Sequence, residues 1–97
     1  PIPRFPAVVR DVSFFVDEAL PAAQVVAEVL QAAPTILEDI RVLEDYREPG
    51  KVPSGKKGML WTIRYRASNR TLTDAEVDAV HEPLVARLLA ALGAERR

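Results

Sequence analysis

The stretch Gly58-Met59-Leu60-Trp61-Thr62-Ile63-Arg64-Tyr65-Arg66 decides the fold. With a period of two, Met59, Trp61, Ile63 and Tyr65 share one face of a strand, and Leu60, Thr62, Arg64 and Arg66 share the other. An apolar face opposite an arginine-bearing face describes a sheet covered on one side only. Upstream, residues 47–57 (REPGKVPSGKK) hold two Pro, two Gly and three Lys and read as a loop.

The flanking segments supply what covers that sheet. Residues 7–16 (AVVRDVSFFV) place Val8, Val12, Phe14 and Val16 on one parity, a half-buried strand. Leu20-Pro21 opens a helix in which Val26, Val29, Leu30 and Ala33 recur at helical spacing, and Pro34 stops it. Residues 36–46 (ILEDIRVLEDY) alternate less cleanly. Ile36, Ile40 and Val42 share a parity that Leu37 and Leu43 break, which predicts a bulged strand or one half-buried on both faces.

Asn69 to Leu72 reads as a turn, and Thr73-Asp74-Ala75-Glu76 as a capping box. The helix it opens carries Val77, Val80, Leu84, Leu88 and Ala91 on one side, and Gly93 closes it. Pro83 lies inside this helix and is expected to kink it near Ala79. Ala94 to Arg97 fit a short last strand. The order βαββαβ implies an α+β, ferredoxin-like split βαβ fold: two helices on one face of a four-stranded antiparallel sheet.

The 97 residues fit a single domain spanning 1–97. No apolar run reaches the length of a membrane span. The start, Pro1-Ile2-Pro3-Arg4, lacks an initiator Met and an apolar signal core, so a fragment of a longer chain is expected. With no Cys and one His, disulfides, thiolate metal sites and multi-His metal sites are excluded.

The formal net charge of −1 hides an uneven distribution. Residues 41–70 hold eight bases against three acids, a net +5, and the other residues sum to −6. Such segregation points to an anionic partner or to a solvated basic loop.

Several motifs fail on context. Gly50-Lys51-Val52-Pro53-Ser54-Gly55-Lys56-Lys57 nearly spells a phosphate-binding loop. Lys57 stands where Ser or Thr would bind magnesium, and the loop leads into a strand rather than a helix. Asn69-Arg70-Thr71 matches a glycosylation sequon, which matters only in a secreted chain. His81 has no second His, Cys or recognisable nucleophile beside it, so a partly buried or surface histidine is expected rather than a general base. The adjacent carboxylates Glu38/Asp39 and Glu44/Asp45 point to opposite faces of a strand, which argues against an acid–base dyad. Glu44 shares a face with Tyr46 beside the basic loop. There an acceptor carboxylate and an aromatic ring can hydrogen-bond and stack an unpaired base, or Tyr46 can end the core. Both readings stand on the residues alone.

Five pieces in order carry a family resemblance. They are Phe5-Pro6-Ala7-Val8-Val9-Arg10-Asp11, Leu43-Glu44-Asp45-Tyr46, Gly55-Lys56-Lys57-Gly58, Arg70-Thr71-Leu72-Thr73-Asp74-Ala75-Glu76-Val77 and Leu92-Gly93-Ala94-Glu95-Arg96-Arg97. Over essentially all its length the chain resembles the ferredoxin-fold anticodon-binding domain at the C-terminus of the bacterial phenylalanyl-tRNA synthetase beta subunit. Four positions depart from the family pattern: Glu44 stands for its usual Asp, Leu43 for Phe, Gly58 for Ser, and Pro83 interrupts a helix usually without it.

The resemblance implies a cytoplasmic tRNA-binding module for the anticodon stem-loop of phenylalanine tRNA. The module itself is not catalytic. The parent phenylalanine–tRNA ligase would use ATP and Mg²⁺ elsewhere, and its partners would be the rest of the beta subunit and the alpha subunit of a heterotetramer. Glu44 and Tyr46 are carried over as the base-reading pair. The bases around them, Lys51, Lys56, Lys57, Arg64, Arg66 and Arg70, are expected to meet phosphate or ribose. Asp11 is expected to have a structural role, such as fixing a turn.

Two other uses of this fold compete: a regulatory or protein-interaction domain working through the open sheet face, and a small acylphosphatase-like enzyme. The enzyme reading needs an anion-cradling loop after the first strand, where this chain has Asp17-Glu18.

Overall fold

The computed structural model describes residues 5–47 and 50–96, without the Glu44 side chain. The elements follow the βαββαβ order: β1 (Val8–Asp17), α1 (Ala22–Gln31), β2 (Leu37–Tyr46), β3 (Lys56–Tyr65), α2 (Asp74–Leu92) and β4 (Glu95–Arg96). The strands form one sheet in the order β2-β3-β1-β4. All its pairings are antiparallel.

The long β1–β3 pairing, from Val8↔Tyr65 to Asp17↔Lys56, sets which side chains face the helices. Val12, Phe14 and Val16 of β1 join Met59, Trp61, Ile63 and Tyr65 of β3, all at most 2% exposed. Val25 and Val29 of α1 and Val77, Leu84, Val85 and Leu88 of α2 close over them. Each fully buried side chain of this size contributes about 1.5–3 kcal/mol. Among the described residues, no helix covers the opposite sheet face.

The bulge expected in the second strand is present twice. Register shifts fall between Leu37 and Asp39 and between Val42 and Glu44. The second sets the Glu44 backbone opposite Leu60 and returns Tyr46 to the open face, opposite Gly58.

Two details differ from the sequence expectation. In α1 the buried stripe contains Val25, while Leu30 is 60% exposed. The spacing 22, 25, 26, 29 faces the sheet, and Leu30 lies one residue further round. In α2, buried His81 and Val85 belong to the inner side and Ala91 is exposed. As the sequence reading has it, Pro83 lies inside this helix, which runs from Asp74 to Leu92. Pro83 and Ala79 are both exposed, so the carbonyl that loses its partner can bond to water.

The helix ends match the sequence reading. Thr73 Oγ1 accepts from the Glu76 N–H at 3.1 Å, and Glu76 Oε1 accepts from the Thr73 N–H at 3.3 Å. Gly93 caps the C-terminus at φ +62°, a left-handed conformation that glycine adopts without strain.

Candidate nucleic-acid interface

The open sheet face is built from alternate residues of three strands. At one end lies a cross-strand row, Phe15–Gly58–Tyr46. Gly58 leaves a gap there that the Tyr46 ring fills: a Cβ at position 58 would collide with Cζ, Cε2 and Oη of that ring. The ring of Tyr46 thus lies across the sheet, half-buried, rather than ending the core. The Glu44 backbone sits one row away, opposite Leu60, and its side chain lies outside the described residues.

The expected phosphate-contacting bases divide into two groups. Lys51 and Lys56 flank the Tyr46 end, in the loop and at the start of β3. The loop folds back on β1 through a bond from the Glu18 N–H to the Gly55 carbonyl at 3.1 Å. Gly50 and Gly55 turn with positive φ, and the loop enters a strand, which confirms that it is no P-loop. Arg64, Arg66 and Arg70 belong to the far end of the sheet. Arg64 lies six residue steps along the strand from Gly58, about 20 Å at roughly 3.4 Å per residue.

Lys57 does not fit the expected role. Its side chain is 4% exposed and its Nζ lies 3.4 Å from Asp45 Oδ2. It shares the parity of Met59 and Trp61, so its stem runs along the core and its ammonium is held under the strand end. A phosphate cannot reach it without breaking that pair.

The other cations are partly engaged by acids from outside the basic segment. Arg66 Nε lies 2.7 Å from Glu38 Oε2, and its Nη1 donates to the Phe5 carbonyl at 3.1 Å. Arg64 reaches the same Glu38 at 4.0 Å. Arg70 donates to Glu76 Oε2 from Nε at 3.1 Å and Nη2 at 2.7 Å. This holds the Glu76 carboxyl below its usual pKa and braces the α2 cap. Arg41 is paired with Asp39 at 2.8 Å. The +5 count therefore overstates the charge this surface offers. Lys56, with no ion pair among the described residues, and Arg64, with a 42% exposed side chain, are the more available cations.

One residue does not have the role expected of it, and a neighbour left without a role has one. Asp11 lies mid-strand opposite Thr62, exposed, and fixes no turn. Turns form at strand ends, and Asp11 is the fourth residue of ten. Its neighbour Arg10 makes the structural contacts instead, reaching Asp74 at 3.0 Å and Asp78 at 3.3 Å in the first turns of α2. Arg10 shares the parity of Val8 and Val12, which turns it toward the helices.

His81 is a core histidine. Its Nδ1 and the Tyr65 hydroxyl are 2.8 Å apart, with the rings edge to face. Burial lowers the His81 pKa and raises that of Tyr65 to about 12. Among the described residues no group of His, Cys, Asp and Glu is arranged to hold a metal ion, and no helix is long and apolar enough to cross a membrane.

A half-buried aromatic ring laid on an open sheet, with lysines at its edge, is an arrangement that single-stranded RNA binders use. The chain belongs to the ferredoxin-fold anticodon binding domain family, whose model matches residues 3–97. Its relatives include the phenylalanine–tRNA ligase beta subunit of Anaeromyxobacter dehalogenans, 46% identical over 97 residues. The beta subunits of Syntrophotalea carbinolica and Clostridium tetani are 40% and 41% identical over 94 and 96 residues. These alignments cover 97–100% of this chain and 12% of each relative, so the chain spans about an eighth of the length of the proteins it matches. Family and relatives together support a tRNA-binding role.

Proposed function

We propose that this chain is the anticodon-recognition module of a phenylalanine–tRNA ligase beta subunit and that it holds the anticodon stem-loop of phenylalanine tRNA. The observation that carries the reading is the Tyr46 ring, seated over Gly58 on the open sheet face beside Lys56, in a chain of an anticodon-binding family. The ring stacks on an unpaired base, and Glu44, on the same face, accepts hydrogen bonds from that base's Watson–Crick edge. Lys51 and Lys56 meet phosphates around the loop. Arg64, about 20 Å along β3, meets the stem, with Arg66 and Arg70 behind it.

The module needs no cofactor of its own. The parent enzyme, a cytoplasmic heterotetramer of alpha and beta subunits, would bind ATP and Mg²⁺ at a distant site and join phenylalanine to the acceptor end.

The test is Tyr46→Ala, titrated against a fluorescent anticodon stem-loop. The variant is expected to bind more weakly by about 1–3 kcal/mol while melting as a folded protein. Unchanged affinity in a folded variant removes Tyr46 from the interface.

A further inference from the structure

We propose that Phe15 is a second base-stacking residue, which forms with Tyr46 a two-ring platform for two adjacent unpaired bases of the bound loop. The inference rests on the anticodon-binding reading above and adds a residue and a second base to it.

Phe15 lies on the open face, since its neighbours Phe14 and Val16 are fully buried on the helix side. It stands in the same row as Tyr46, with Gly58 between them. Adjacent strands are about 4.8 Å apart, so Phe15 and Tyr46 start roughly 10 Å apart at their backbones. The Tyr46 ring does not stay over its own strand: it occupies the space above Gly58, one strand nearer to Phe15. Glycine at 58 is thus what brings the two aromatics together, because any side chain there meets the Tyr46 ring. Across β1 the row ends on the two-residue β4, opposite Glu95.

The occupant is a single-stranded RNA loop. Aromatic rings on an uncovered sheet stack bases without regard to identity, because every base has a π-face. Lys56, in register with Asp17 and one position along β3 from the row's neighbour Lys57, brings positive charge to the same end. The family match supplies the RNA.

The experiment uses anticodon stem-loops carrying 2-aminopurine at one loop position at a time, since stacking quenches this base. The wild-type chain is expected to quench two positions. Phe15→Leu and Phe15→Ile keep an apolar side chain suited to a strand. Each is expected to restore fluorescence at one position and weaken binding roughly 5- to 150-fold. Phe15→Tyr keeps a ring and is expected to bind as the wild type does. Gly58→Ala, by displacing the Tyr46 ring, is expected to restore fluorescence at the other position. Circular dichroism melts select the folded variants. If the wild type binds and the folded Phe15→Leu and Phe15→Ile variants quench and bind as it does, the second stacking role is overturned and the anticodon reading survives. If the wild-type chain binds no stem-loop, the anticodon reading falls and the platform with it.

Discussion

Replacing Tyr65 by Phe isolates one hydrogen bond at the centre of the molecule. The Tyr65 hydroxyl meets His81 Nδ1 at 2.8 Å, with Tyr65 at 0% and His81 at 3% exposure. Because burial holds the Tyr65 pKa near 12, the hydroxyl stays protonated throughout the working pH range. Phe keeps the ring and its edge-to-face contact with the imidazole, whose centroid is 5.8 Å away. Only the oxygen is lost, and His81 Nδ1 is left without that partner where water cannot easily replace it. A buried group stranded in this way costs about 1–3 kcal/mol. In a domain of this size each kcal/mol lowers Tm by about 4–8 °C. Urea unfolding with a constant m-value and thermal melts followed by circular dichroism give both numbers. The double variant Tyr65→Phe/His81→Leu removes both polar partners and is expected to show a coupling of at least about 0.5 kcal/mol in a mutant cycle. A Tyr65→Phe change smaller than about 0.5 kcal/mol, with no coupling, refutes the claim that this bond stabilises the core.

Stability is also expected to depend on pH through His81. Burial lowers its folded pKa below the unfolded value of about 6.5, so below that pH the unfolded chain takes up a proton that the folded chain resists. Stability from this group is present above about pH 6.5 and is lost as pH falls toward the folded pKa, at no more than about 1.4 kcal/mol per pH unit. Urea titrations between pH 5 and 8 check this, and a rise in stability on acidification contradicts it. Lys57→Met keeps the buried stem and leaves the partly exposed Asp45 to water and to Arg47, 3.6 Å away. It is expected to change stability by less than about 1.5 kcal/mol and RNA affinity by less than about twofold. A tenfold loss of affinity in a folded Lys57→Met protein returns Lys57 to the interface.

Most of the fold was legible because the signals were local. Period-two alternation in β1 and β3, the Thr73–Glu76 capping box and Gly93 each act within a few residues, and each appears where the sequence puts it. The stripe of α1 was offset because the apolar residues Val25, Val26, Val29 and Leu30 fit two overlapping faces. Only contact with the sheet chooses between them. The bulge at Leu43 was readable as broken parity, and it is what brings Tyr46 opposite Gly58 on the open face.

The site was less legible, since its properties are non-local. Counting bases by segment treats every one as available, yet Glu38, Asp39 and Glu76 lie outside the basic stretch and pair with cations inside it. The burial of Lys57 did have a signal, its shared parity with Met59 and Trp61, which the charge count overrode. The same parity argument turns Arg10 toward α2 and Phe15 toward the open face. That the Tyr46 ring lies over Gly58 had no signal within either strand, because it depends on how β2 registers against β3.

The central claim is that this surface reads the anticodon loop of phenylalanine tRNA. The most direct measurement titrates the chain against two stem-loops with identical stems, one carrying the phenylalanine anticodon and one with the anticodon bases replaced, across a range of salt. The account predicts a clear preference for the first that survives rising salt, while the affinity for both falls steeply as phosphate contacts are screened. Equal affinity for the two at every salt concentration, or no binding to either at low salt, contradicts it.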